Sequence, residues 1–168
     1  MRFQNIQQLT KVLFFIANLM GNLLLTLMFV FLLTGVVSRY ILHQALAWPE
    51  ETCMILAAWM GFFGASVGLK ERAHVGTTAF VSLFPTRVRN CITIVADALA
   101  GFFAAYLILY GWQISFSAGT AQTTPYWGIS YFYLYFSVCV GGFFLFIQAL
   151  SLTLEDIFRA FCLQQEAP

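Results

Sequence analysis

The sequence predicts an all-α integral membrane fold: four transmembrane helices, both termini cytoplasmic, with short amphipathic helices lying in the interface. Three observations predict it. Charged residues are 9% of the 168-residue chain and hydrophobic residues 61%, where a soluble domain carries about 25% charge. Four segments reach the roughly 20 apolar residues that a bilayer crossing needs: Val12 to Val37, Glu51 to Leu69, Cys91 to Trp112, and Ile129 to Leu150. Basic residues flank these segments unevenly, and that sets orientation.

The first segment is too long for the apolar core of a secretory leader, and no small-residue cleavage motif follows it. It is expected to stay as an anchor. The second carries Arg39-Tyr40 and Trp48-Pro49-Glu50-Glu51 before it and Lys70-Glu71-Arg72-Ala73-His74 after it. Charge is tolerated at the water interfaces and costly between them, so these clusters mark its two ends. After it, Val75, Ala79, Phe80, Leu83 and Phe84 recur at helical spacing opposite Thr77, Thr78 and Ser82, up to Pro85. The pattern predicts an interfacial helix over 75–84. Phe3, Ile6 and Leu9 hint at a similar piece before the first span. Leu154, Ile157, Phe158 and Phe161 set against Glu155, Asp156 and Arg159 suggest another in a tail over 151–168.

The stretch from Gln113 to Gly128 has no charge and reads as an outer loop, with Trp112, Tyr126 and Trp127 as its aromatic belt. With the N-terminus inside, Arg2, Lys11, Lys70, Arg72, Arg87, Arg89 and Arg159 are cytoplasmic and only Arg39 is outside. The whole chain, 1–168, is one membrane domain. Little remains outside the spans, so there is no room for a separate catalytic domain.

Few residues could carry chemistry. Arg39 and the Glu50–Glu51 pair share one level, which suits a clamp between helix ends through the guanidinium fork, or docking of a partner. Two adjacent carboxylates also suggest a cation site, but neighbours on a helix point about 100° apart, which is poor metal geometry. Asp97 is the one ionisable residue deep in a span, with Asn18 and Asn22 at similar depth in the first. A contact among the three would satisfy all of them; partner contact and ion coupling are the other readings. Ala57, Gly61, Ala65 and Gly68 form a small-residue stripe that lets another helix approach. The Trp59 indole, near mid-membrane, needs an acceptor and is expected to face protein.

Other chemistry is excluded or unsupported. Cys53, Cys91, Cys139 and Cys162 show neither a disulfide framework nor a CxxC metal spacing. His43 and His74 fall on opposite sides of the bilayer and cannot share a haem. No Ser/His/Asp set, HExxH or phosphate-binding glycine loop is present. A net charge of +1 gives no reason to expect nucleic acid.

The order Arg39-Tyr40, Trp48-x-Glu50-Glu51, Trp59-x4-Gly64-Ala65, a basic turn and His74 resembles the small membrane subunit of TRAP transporters, the DctQ type. TRAP stands for tripartite ATP-independent periplasmic. The likeness runs along the chain to a Thr124-Pro125-x-x-Gly128-Ile129 lead into the last span, where family members often continue with proline and this chain has Ser130. The resemblance implies a brace for a large membrane subunit that holds the substrate and sodium sites, supplied by a periplasmic substrate-binding protein. Substrates would be organic acids such as C4-dicarboxylates or sialic acids, taken up across the bacterial inner membrane.

No cofactor and no substrate site are expected in this chain. Arg39, Trp48, Glu50 and Glu51 would form the clamp or a docking point; Trp59, Gly61, Gly64, Ala65 and Gly68 would pack, partly against the large subunit. Lys70, Arg72 and His74 would sit at the cytoplasmic interface among membrane lipids. Two rival readings are an independent homodimeric transporter using Asp97 and the membrane anchor of a respiratory-type enzyme.

Overall fold

A computed structural model describes residues 2–44, 46–71 and 86–165. Four helices account for nearly all of them: α1 (Arg2–Tyr40), α2 (Trp48–Lys70), α3 (Thr86–Ala121) and α4 (Phe132–Gln165). Each contains a stretch long and apolar enough to cross a membrane: Thr10–Tyr40, Trp48–Lys70, Cys91–Ala121 and Phe132–Ile157. The segment expected as an interfacial helix over 75–84 lies outside the described residues.

Three boundaries differ from the sequence reading. The piece before the first span is continuous with α1, and the tail is continuous with α4 as far as Gln165. Neither is a separate helix. The stretch read as an outer loop from Gln113 is helical through Ala121, so the connection is only residues 122–131. The reason is local. Ser115, Ser117 and Thr120 donate their hydroxyls to the carbonyls of Gly111, Gln113 and Phe116 one turn back, so polar side chains ride on the helix without breaking it.

The helices pack in the order α1, α2, α4, α3, with a smaller α1–α4 contact. In the most apolar stretch of α4, 39% of residues are buried within the chain; in that of α1, none are. So α4 is the hub and α1 an edge.

Glycines set how closely the hub is approached. A Cβ added to Gly111 would come within 2.9 Å of the Cys139 backbone nitrogen, and one at Gly119 within 2.8 Å of the Phe132 Cα. One at Gly142 would press on Ile108 and the Ala104 carbonyl at 3.1–3.2 Å. The α3–α4 pair thus meets backbone to backbone, which maximises dispersion contact where water supplies no driving force. Gly141 does the same for α2: a Cβ there would overlap the Cβ of Phe62. Phe63 and Phe144 add an edge-to-face contact at 5.3 Å.

Between α1 and α2 the fit is looser. Gly21 lies near Phe63, with 3.8 Å from its would-be Cβ, and Gly35 near Pro49 at 3.5 Å. The Cys53 thiol donates to the Met28 carbonyl at 3.6 Å.

Candidate functional site

The best-defined polar site gathers at the ends of α1 and α2 beside the α3–α4 connection. Helix α2 begins with Trp48-Pro49, proline falling in the first turn where its missing N–H costs nothing. Glu50 and Glu51 follow in the same turn, where the helix dipole favours negative charge. Arg39, in the last turn of α1, forms an ion pair with Glu50 through Nη2 and Oε1. One oxygen is engaged, not a two-pronged fork. The two side chains are 53% and 64% exposed.

Glu51 does something else. Its carboxylate accepts from the backbone N–H groups of Tyr126 at 2.6 Å and Trp127 at 3.2 Å. The adjacent carboxylates therefore part: one ties α2 to α1, the other ties α2 to the connection between α3 and α4. Trp48 fills the space between, edge-on to Phe31 at 5.8 Å and to Trp127 at 6.3 Å.

The connection is itself built to present those two amides. Thr124 N–H donates to the Ile129 carbonyl at 2.8 Å, and Tyr131 N–H to Gln122 at 3.0 Å, framing the Thr123–Ser130 bridge. The buried Thr124 hydroxyl accepts from Ile129 N–H at 3.1 Å. Gly128 takes a φ of +63°, a conformation that glycine adopts without steric cost. Ser130, where the resembling family often has proline, donates to the Gly119 carbonyl at 2.6 Å and accepts from Phe132 N–H at 3.2 Å. It seats the start of α4 on the end of α3.

The remaining predicted residues are dispersed. The Trp59 indole donates to the Tyr133 carbonyl at 3.0 Å, facing α4. Lys70 reaches Glu155 at 3.5 Å, a half-buried pair at the opposite end of the α2–α4 seam. Arg72 and His74 lie outside the described residues. Gly61, Gly64 and Ala65 are exposed and Gly68 is half-buried; a Cβ on any of the three glycines would meet nothing within 4 Å. Asn22 donates its carboxamide to Asn18 at 3.2 Å, on an exposed face of α1.

Asp97 is buried on α3, which packs against α4. Neither asparagine bonds it, so the expected three-residue contact does not form: the asparagines sit on the edge helix, away from the α3–α4 seam.

Sequence reasoning also missed a polar pair inside the α2–α4 seam. Ser66 and Gln148 are fully buried, and neither the Ser66 hydroxyl nor either end of the Gln148 carboxamide has a hydrogen-bond partner. Their spacing from Phe63–Phe144 and Lys70–Glu155 sets them at one level. A heptad-like run 141, 144, 148, 151, 155 in α4 is the signal that marks this face.

These interactions bind helix to helix and order one connection. Among the described residues no group of His, Cys, Asp and Glu side chains could hold a metal ion. The fold and these contacts define a multi-span membrane protein whose described ion pairs and interhelical hydrogen bonds join its own helices and connection. The family model "Tripartite ATP-independent periplasmic transporters, DctQ component" matches residues 28–159. The chain belongs to that family; it is a small permease component of a TRAP transporter and not an enzyme.

The relatives agree. The chain is similar to the C4-dicarboxylate TRAP transporter small permease protein DctQ of Vibrio cholerae, 30% identical over 47% of this chain and 34% of that protein. It is 25% identical to a putative TRAP transporter small permease protein of Haemophilus influenzae, over 82% of this chain and 85% of that protein. It is also similar to the sialic acid TRAP transporter permease protein SiaT of Haemophilus influenzae, 24% identical over 81% of this chain but only 22% of SiaT. The chain thus spans about a third of the first relative and under a quarter of the last.

Proposed function

We propose that this chain braces a large transport subunit in the bacterial inner membrane, both termini cytoplasmic, during binding-protein-dependent uptake of an organic acid driven by sodium. The observation that carries the reading is the match to SiaT, where the counterpart of 81% of this chain makes up 22% of one longer permease. A larger permease part thus accompanies the small one in a single polypeptide there, and here a separate large subunit would take its place. The substrate is a carboxylate such as a C4-dicarboxylate or a sialic acid, the two classes that relatives' names carry.

The division of labour follows from chemistry. A site for a carboxylate substrate needs concentrated polar donors, and three of the strongest described here are spread along the chain and engaged in helix contacts: Arg39 to Glu50, Lys70 to Glu155, Trp59 to Tyr133. That dispersal supports placing the substrate and sodium sites in the large subunit. The cytoplasmic placement of both termini rests on the basic flanks, seven residues against Arg39 alone. The clamp end then faces the periplasm, where the binding protein delivers its cargo.

The experiment is purification of the chain from its native membrane in mild detergent, with mass spectrometry of what accompanies it. A large polytopic permease in one-to-one ratio supports the reading. Recovery of the chain alone, with uptake by it alone in proteoliposomes, overturns it.

A further inference from the structure

Helices α1 and α2 run antiparallel, and they touch through a regular set of positions: Gly21, Met28 and Gly35 on α1 against Phe63, Cys53 and Pro49 on α2. One residue after a contact position is a rotation of about 100° round the helix. Because the helices oppose each other, that rotation leads to the same side of the pair on both. The ends prove the construction: Glu50 follows Pro49, Arg39 follows the buried Ser38, and the two meet in the ion pair.

The same side, followed into the membrane, holds two features. On α1 it holds Asn22, after Gly21, and Asn18, after the buried Ala17. On α2 it holds Gly64, after Phe63, and its neighbours Ala57 and Gly61 a turn apart. The register of Gly21 with Phe63 and Gly35 with Pro49 sets Asn22 within one residue of the level of Gly61 and Asn18 within one residue of that of Ala65. All of these residues are exposed, and nothing lies within 4 Å of a Cβ placed on Gly61 or Gly64.

The two features make different demands. Small residues tolerate lipid. Carboxamides do not, and Asn22 lies about 18 Å along α1 from Thr10 at 1.5 Å per residue, well inside a hydrocarbon core about 30 Å thick. Each carboxamide offers two N–H donors and an acceptor oxygen. Their mutual bond uses one donor of Asn22 and one lone pair of Asn18, which leaves both Asn18 donors, the second Asn22 donor and the Asn22 carboxamide oxygen to be met. Acyl chains have nothing to meet them with.

We infer that this face receives one transmembrane helix of the large permease subunit, carrying a hydrogen-bonding side chain or an open carbonyl opposite Asn18 and Asn22. The small residues Ala57, Gly61 and Gly64 let that helix's backbone approach until the carboxamides reach it. The occupant is a helix because both features run parallel to the bundle axis and overlap along it for about one turn. It belongs to the large subunit because SiaT carries a counterpart of this chain as a minor part of one longer permease. The inference rests on the proposed function and adds the docking face.

The test co-expresses the chain with the affinity-tagged large subunit of its own transporter and measures the ratio of the two after mild-detergent purification. Asn18→Leu with Asn22→Leu, and separately Gly61→Leu, should each lower the recovered ratio about three- to tenfold. Leu27→Ala, about 140° round α1 from Asn22 and about 180° from Asn18, should leave it unchanged, and the isolated variants should melt as the wild type does. Unchanged ratios in both variants overturn the inference while the functional reading stands. Failure of the wild-type chain to co-purify overturns the functional reading itself. If Asn22→Cys oxidises to a dimer of this chain within the purified complex, a second copy covers the face and the inference is overturned.

Discussion

Two sets of glycines in this chain face opposite circumstances. Gly111, Gly119, Gly141 and Gly142 are buried, and each abuts a neighbouring helix so closely that a single added carbon would collide with it. Gly61 and Gly64 are exposed, with empty space where a Cβ would stand. The first set has been used up inside the chain: it draws α3 onto α4 and α2 onto α4. The second has not. A helix interior disfavours glycine by about 1 kcal/mol relative to alanine, so glycines on an open face need a reason, and a helix approaching from another polypeptide supplies one.

The comparison breaks most visibly in the closed seam. Gly111→Val forces its side chain against the Cys139 backbone, and Gly141→Ala forces a carbon against Phe62. Overpacking of this kind costs about 1–3 kcal/mol; the obstructing atoms, the Cys139 backbone and the Phe62 Cβ, both yield little, and valine adds two methyl groups beyond its Cβ. Both variants should lower the melting temperature of the isolated chain in detergent, Gly111→Val more. Melting curves that overlay the wild type would mean that the α3–α4 seam is not close-packed.

Next in size is the connection that Glu51 holds. A carboxylate accepting from two backbone amides is worth more than a neutral pair, about 1.5–3 kcal/mol per charge-assisted bond when shielded from water. Partial exposure here brings the sum toward the lower figure. Glu51→Gln keeps one acceptor and turns an amide toward the second donor, so the Tyr126 and Trp127 amides should exchange with deuterium markedly faster. Unaltered protection at both would show that the Thr124 and Ser130 bonds hold the connection unaided.

How much of this was legible in the sequence depends on what kind of group makes each contact. The four spans were legible, because bilayer crossing demands a run of apolar residues that composition alone reveals. So was a contact between Arg39 and the Glu50–Glu51 pair, since opposite charges stand at one level, but not which of the two carboxylates makes it. The destination of Glu51 was not, since its partners are main-chain amides 75 and 76 residues away, and no side chain announces them. The end of α3 was misread because Ser115, Ser117 and Thr120 look like loop residues until their hydroxyls are seen bonded to the preceding turn. Asp97 with Asn18 and Asn22 failed for a third reason. Equal depth says nothing about which helices are neighbours, and α1 and α3 flank the row from opposite sides of the α2–α4 pair.

Smaller still is Arg39→Ala. With both partners more than half exposed, the ion pair contributes about 0–1 kcal/mol and is screened by salt. Melting of the isolated chain should fall by little at low ionic strength and by nothing measurable at high ionic strength. A large, salt-independent loss would mean that the pair is shielded, and that the Arg39 end of the α1–α2 face is already covered without a partner.

The smallest effect belongs to the open face, and it carries the sharpest contrast with the seam. Gly64→Leu adds four carbons where nothing stands within 4 Å, so no contact inside the chain is disturbed. Leucine also favours the helix over glycine, by about 0.8–1 kcal/mol in exposed positions. The isolated chain should therefore melt at or slightly above the wild-type temperature, in the same assay where Gly111→Val loses stability. A substitution that leaves the subunit intact yet fills its face separates what glycine does for the fold from what it does for a partner. Destabilisation of the isolated chain by Gly64→Leu would place Gly64 in an internal contact and remove the distinction between the two sets.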